Sequence, residues 1–247
     1  MVKYSIVSVV NEQYKKFAYV FVKSALDNLN LDHIHEICLL NTGINDNDVS
    51  KLESLHEKIR IVKAEQIVSS GKGWDSGWKE NVDLKTKFVK EYIDSNAIRT
   101  CMVDIDCMFT NDILDVMSVD KEIVLCDRSE HLSNSPYIAS FVGFLDIEKS
   151  KKFLSEWRNC MKTISGFQTK ETPALCKISS NPEYNIGTCS YKIIGLYYDN
   201  LYTDDTRIIH FKSDGSSLNL PMDKGVQVRL EKFKQFSDVI QRYLQDV

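Results

Sequence analysis

No apolar run in this sequence approaches the ~20 residues that a membrane-spanning helix requires. The opening stretch, MVKYSIVSVVNEQYKK, is too weakly apolar for a secretory leader and passes directly into a strand-like pattern. A basic excess is also missing. With a formal net charge of -4 there is no global positive field for a nucleic-acid backbone or an anionic membrane surface, so any phosphate site must be local. The seven cysteines are odd in number, scattered, and mostly set in apolar runs, with neither a CxxC pair nor the spacing of a secreted disulfide framework. These absences predict a reduced, cytoplasmic protein without a membrane span and without a nucleic-acid partner. Repeats and low-complexity tracts are lacking too, and the segments expected to be flexible are 66–78, 165–185 and 212–226.

What is present is ordinary globular material. A chain of 247 residues, 43% hydrophobic and 27% charged, is long enough to bury roughly three quarters of its unfolded surface, and one domain is the economical expectation. Residues 3–10 (KYSIVSVV) are a β-branched run, after which Tyr14, Phe17, Phe21, Val22, Ala25, Leu26 and Leu29 recur at helical spacing. Further strands are expected at 36–40 and 59–62, separated by a short polar helix, and this alternation predicts parallel strands with helical crossovers. The glycine- and tryptophan-bearing stretch SSGKGWDSGW (69–78) is expected to be a loop, with helix from Asn81 onward. Later strands are expected at 122–126, 137–147 and 207–211. A helix burying Phe153, Leu154, Trp157 and Met161 precedes the last of these, and a final helix is expected to bury Leu230, Phe233, Phe236, Ile240, Tyr243 and Leu244.

The most informative feature is Asp104-Ile105-Asp106, delivered by the apolar run RTCMV near the middle of the chain. Carboxylates at i and i+2 of an extended segment leave on one face and can converge on one hard cation while Ile105 points into the core. Two carboxylates this close repel unless a cation or protons compensate, and Mn2+ or Mg2+ suits oxygen ligands. The bland alternative is a pair of surface aspartates at a strand end, where aspartate is common in turns. The surrounding α/β pattern favours a site, since ligands gather at the carboxyl ends of parallel strands.

In several places the sequence resembles the GT-A glycosyltransferases, particularly the glycogenin-like and galactinol-synthase-like group. MVDIDCMFTNDI resembles the strand and connection that carry the group's metal-binding Asp-x-Asp. IASFVGFLDI resembles the next strand, ETPAL (171–175) the acidic start of a following helix, and RIIHFKSDG the late strand that supplies a third metal ligand and a phosphate-binding lysine. The resemblance implies a single GT-A domain over 1–247, a Rossmann-like mixed sheet flanked by helices. Its nucleotide-binding part would cover about 1–110 and its acceptor side about 111–247. It further implies a UDP-sugar donor, a glycan or glycoprotein acceptor, and Asp104, Asp106 and His210 as ligands of Mn2+ or Mg2+. Ile105 would lie between the ligands at the donor, and Lys212 would neutralise the leaving diphosphate. The motif around Lys212 lacks the longer glycine, lysine, proline and tryptophan string of glycogenin-like enzymes, and Ser140-Phe141-Val142-Gly143 lacks the asparagine often found before the small-residue step.

Other positions carry two readings each. Val10 and Asn11, at the end of the first strand, are candidates for the nucleoside site, and Asn11 is equally a helix cap. The resemblance implies a basic residue on the helix before the aspartates that contacts the base or the phosphates, and Lys85, one turn into that helix, is the candidate; it is otherwise a solvated lysine. Glu171 is the first candidate for a catalytic or acceptor-orienting carboxylate and Asp127 the second, although Asp127 and Arg128 also suit an exposed ion pair. A lone histidine such as His210 in an apolar strand is often simply a half-buried side chain. Trp74 and Trp78 suit either stacking on a sugar or base, or plugging a core edge. Two other functions compete. HAD-type phosphatases also place an Asp-x-Asp after an apolar strand, but follow it with a small residue and threonine where Cys107 and Met108 stand here. The other is a non-catalytic carbohydrate or protein interaction module. Sugar-nucleotide-forming nucleotidyltransferases need a glycine-rich N-terminal loop, and SVVNEQYKK has no glycine.

Overall fold

The computed structural model of the protein describes residues 2–65, 76–167, 169–196, 202–211, 234–245 and 247. Its first half alternates strand and helix as the periodicity predicts: β1 (Tyr4–Val10), α1 (Lys15–Asn28), β2 (Ile34–Asn41), α2 (Asp46–Glu53), β3 (Ile59–Lys63), α3 (Ser76–Asn96) and β4 (Arg99–Val103). Then follow β5 (Cys107–Phe109), α4 (Leu114–Met117), β6 (Ile123–Asp127), β7 (Tyr137–Phe144), α5 (Ile147–Thr163), α6 (Glu171–Ile178), β8 (Ile186–Ser190), β9 (Ile194–Leu196), β10 (Ile208–His210) and α7 (Ser237–Leu244).

A seven-stranded sheet has the order β3-β2-β1-β4-β7-β6-β8, and a three-stranded sheet has the order β5-β10-β9. β1 pairs in parallel with both β2 and β4, β2 pairs in parallel with β3, and β7 runs antiparallel between β4 and β6. The large sheet is buried on both faces, and the strand sequences show why. Along β1, Tyr4, Ile6 and Val10 join the apolar cluster that includes α1, whereas Val7 and Val9 face the cluster built with α3 and α5. Such strands read as nearly continuous apolar runs rather than clean alternation. On the second face, Trp157, Phe153 and Leu154 of α5 are fully buried, each side chain contributing roughly 1.5–3 kcal/mol of transfer free energy.

Four expectations need correction. The Asp104-Ile105-Asp106 segment is not extended strand: β4 ends at Val103 and the pair sits in a turn before β5. Helix α3 begins at Ser76 rather than near Asn81, so Gly77 and Trp78, expected in a loop, lie in its first turn. The stretch 165–185, expected to be flexible, contains a regular helix, α6, which begins at Glu171 where the resemblance of ETPAL implies a helix start; its buried Ala174, Leu175 and Ile178 make too short an apolar stripe to show in the periodicity. The strand expected to reach residue 147 stops at Phe144, since Asp146 turns the chain and caps α5 by accepting a hydrogen bond from the Lys149 amide at 2.9 Å. In the last helix Ile240 and Tyr243 are buried as expected, while Leu230 and Phe233 lie outside the described residues.

Candidate active site

The carboxyl ends of β1, β2 and β4 lie on one edge of the large sheet, where open α/β sheets bind their ligands. Asp104 emerges there because the chain changes sheets at this point. Its amide still donates to the Ser140 carbonyl of β7 at 2.9 Å, continuing the β4–β7 ladder for one residue. Two residues later the Asp106 carbonyl accepts from the Phe211 amide at 2.8 Å, and β5 pairs antiparallel with β10 in the small sheet. Between them Ile105 is buried in the main core and anchors the turn. That anchoring is the part of the strand-based expectation that survives; Asp104 is partly exposed and Asp106 is buried.

The β5–β10 register places His210 opposite Cys107. The imidazole Nε2 stands 3.3 Å from Asp106 Oδ1 and 3.8 Å from Asp104 Oδ2. One ligand atom from each of Asp104, Asp106 and His210 lies within 4.8 Å of the others, close enough to share one cation. Residues 104 and 210 therefore meet through pairing of two short strands, a relation invisible to local spacing. Cys107, the adjoining residue, is a poor ligand candidate, because burial first and then the Asp106 and Asp104 charges push its thiol well up.

Lys85 comes in from α3. Its ammonium is 2.5 Å from Asp104 Oδ1 and 2.8 Å from Glu171 Oε1, with only 7% of the side chain exposed. Burial alone would lower its pKa; the Asp104 and then the Glu171 carboxylates override that, raise it, and hold the lysine charged. The solvated-lysine reading is therefore wrong for Lys85. Three residues singled out separately along the sequence, Lys85, Asp104 and Glu171, form one chain of charges. Glu171 is the first residue of α6, and Trp157 Nε1 donates to its backbone carbonyl at 2.9 Å. The donor set that could hold a divalent ion is the Asp104 and Asp106 carboxylates with the His210 imidazole, while Glu171 is engaged by Lys85.

The remaining candidates are spread along the same edge. The Val10 carbonyl accepts from the Thr42 amide at 2.8 Å, and Thr42 Oγ1 donates to Asn81 Oδ1 at 2.7 Å. That contact ties the end of β2 to the face of α3 that carries Lys85 one turn later. Thr42 was not singled out from the sequence, and nothing local to it signals this role. Asn11 does act as a cap: its Oδ1 accepts from the Tyr14 amide at 3.1 Å. Asp127 ends β6, two strands from β4, and its Oδ1 accepts from the Ser129 amide at 2.8 Å. It is outside the three-residue ligand group. Arg128 is buried rather than exposed, and its guanidinium donates to the Ser135 carbonyl and hydroxyl at 2.9 and 2.7 Å. Trp78 falls within α3, whereas Lys212 and Trp74 lie outside the described residues.

Among the described residues no helix is long and apolar enough to cross a membrane. No protein-family model matches the chain, and no curated protein matches it. Solved structures do. The bifunctional glycosyltransferase WbbM superposes with a TM-score of 0.66 at 9% identity over 98% of this chain and 52% of that one, so this chain spans about half of WbbM. The galactosyltransferase LgtC, solved with donor and acceptor sugar analogues, gives a TM-score of 0.59 at 14% identity, covering 94% of this chain and 95% of its own. The glycosyltransferase GlyE of Streptococcus pneumoniae gives 0.59 at 12% identity over 97% of this chain and 64% of that one. At such identities the likeness speaks to architecture, and the architecture of this chain is the GT-A glycosyltransferase fold.

Proposed function

We propose that the chain is a metal-dependent glycosyltransferase that moves a sugar from a nucleoside-diphosphate donor, a UDP-sugar, to a hydroxyl of a glycan or glycoprotein acceptor. The observation that carries this reading is the convergence of Asp104, Asp106 and His210 at the carboxyl edge of the parallel strands. Two carboxylates and an imidazole would hold Mn2+, and Mg2+ suits the oxygen ligands. Such a cation, when bound, supplies positive charge against the donor's diphosphate. The glycosyltransferase neighbours support the same class, and LgtC was captured with both of its sugar substrates' analogues.

The chain's own residues have definite work in this reading. Asp104, Asp106 and His210 bind, with Ile105 holding their turn against the core. Lys85 aims a fixed ammonium at the same place, where negative charge grows as the nucleoside diphosphate departs. Lys212 is proposed as a second cation for that charge. Glu171 acts first on Lys85, holding it charged and in position, and its carboxylate also orients the acceptor. Asp127, further along the edge, serves the acceptor side. Val10 and Asn11 border the nucleoside.

Calorimetric titration with UDP-, GDP- and CMP-sugars, each with and without Mn2+, tests the class directly. Metal-dependent binding of one donor is expected. Absence of binding by every donor to the folded protein would sink the proposal. Slow metal-dependent donor hydrolysis separates an enzyme from a carbohydrate-binding module on the same fold.

A further inference from the structure

The small sheet that presents His210 has two differently occupied faces. Directly opposed residues of an antiparallel pair share a face. Phe109 and Ile208 therefore lie together and join the main core, on the side where Cys107 and His210 pair. Met108, Ile209 and Phe211 face the other way, into a separate apolar cluster with Phe17 and Val20 of α1 and with Ile240 and Tyr243 of α7. Phe211 stacks on Phe17 with ring centroids 5.7 Å apart. The hydroxyl of the same Tyr243 and an Arg242 guanidinium nitrogen both donate to Asp27 Oδ2 of α1 at 2.9 Å.

The consequence concerns His210. It stands between Ile209 and Phe211, both fully buried in that cluster, and the Phe211 amide is hydrogen-bonded to the Asp106 carbonyl. The two residues flanking the imidazole thus belong to the apolar cluster that α1 and α7 share, with Phe211 against Phe17 of α1 and α7 packed on α1, and Phe211 is also tied to a carboxylate-bearing residue of the site. Packed interiors resist small displacements, so loss of one wall of the cluster shifts the strand lying on it.

We propose that α7 is a clamp on the third metal ligand: its docking onto α1 and the outer face of the small sheet sets the position of His210. Ile240 and Tyr243 are then positioning residues, and cation binding and α7 docking are coupled. The inference rests on the metal reading of the Asp104, Asp106 and His210 group. Because coupling is reciprocal, whatever factor α7 docking adds to cation affinity, the cation adds to α7 docking.

The test uses the full chain, Mn2+ as probe, and free Mn2+ measured by electron paramagnetic resonance. Ile240→Asp places a charge in the buried cluster and is expected to release α7, read as fast amide exchange over 237–244. Mn2+ affinity is expected to fall at least tenfold, and Ile240→Leu to restore it. In a His210→Ala background, Ile240→Asp is expected to cost no further affinity, an outcome that a general loss of structure would not give. Saturating Mn2+ is expected to slow exchange in α7 of the unsubstituted protein. Unchanged Mn2+ affinity with α7 demonstrably released overturns the clamp, as does an equal loss in both backgrounds. Should Ile240→Asp abolish folding, the double variant Asp27→Ala, Tyr243→Phe loosens the same docking more gently and is judged by the same criteria. If the unsubstituted protein binds no Mn2+, the metal reading falls. The clamp is then judged on exchange of the Phe211 amide, where undiminished protection with α7 released refutes it.

Discussion

Asp104 answers to two partners at once: one of its oxygens meets the Lys85 ammonium while the other faces His210. Asp104→Ala and Asp106→Ala are each expected to abolish divalent-dependent donor binding without loss of the folded baseline in circular dichroism. Retained donor affinity in both variants would remove the proposed site. His210→Ala is expected to weaken Mn2+ binding while the protein stays folded; unfolding with no change in affinity would instead mark an ordinary core histidine. Lys85→Met strands the Asp104 and Glu171 carboxylates in a largely buried setting. Leaving a buried charge uncompensated costs roughly 3–5 kcal/mol, so a markedly lower urea midpoint is expected in metal-free protein. A midpoint equal to that of the unsubstituted chain would show that the pair is hydrated in solution.

Among the elements, α1 and α2 are joined by a polar network at Asp48. Asp48 is 8% exposed at the side chain, lies 3.1 Å from Lys15 Nζ, and accepts from Tyr19 Oη at 3.0 Å and from Asn45 Nδ2 at 2.7 Å. Burial alone would raise its pKa, and the Lys15, Tyr19 and Asn45 hydrogen bonds override it, so the carboxyl titrates below the ordinary aspartate value of about 3.9. A depressed carboxyl contributes stability that is fully present above its unfolded value and is lost as pH falls through its folded one. Asp48→Asn is therefore expected to lower stability at neutral pH and to flatten the acid limb of the stability curve below about pH 4. An acid limb unchanged in steepness would assign acid unfolding to other carboxylates. For α5, Asp146→Ala removes the cap on Lys149 and is expected to cost about 1 kcal/mol, a fall in Tm of roughly 2–4 °C for a chain of this size.

For the molecule as a whole, the mixed sheet divides labour. Its parallel strands bring Val10, Thr42 and Asp104 to one edge, and the antiparallel β7 lets the chain leave the large sheet at Asp104 and build the small sheet that returns His210. A donor that binds only the native state with its metal raises stability by mass action, about 2.7 kcal/mol at a hundredfold excess over Kd. UDP-sugar with Mn2+ is expected to raise Tm measurably in the unsubstituted protein and not in Asp104→Ala. An equal rise in both would place donor binding elsewhere.

The elements with apolar patterns were legible without coordinates: β1 to β3, α1, the buried stripe of α5, and the strands β6 and β7, though not their pairing. Each is specified by residues adjacent in sequence, where periodicity reports burial directly. The chemical character of Asp104 and Asp106 was legible too, since two carboxylates after an apolar run need a compensating charge wherever they fold. Periodicity alone did not show α6, which has only three buried apolar residues and is marked in the sequence only by the resemblance of ETPAL to a helix start, and the Asp104–Asp106 turn follows from a change of sheet that no neighbouring residue announces. The sequence by itself determined the α/β class and the chemistry available. Only the tertiary structure decided that Lys85, Asp104, Glu171 and His210 share one place, because their meeting depends on non-local strand pairing and helix packing across more than a hundred residues of chain, which local propensity does not encode.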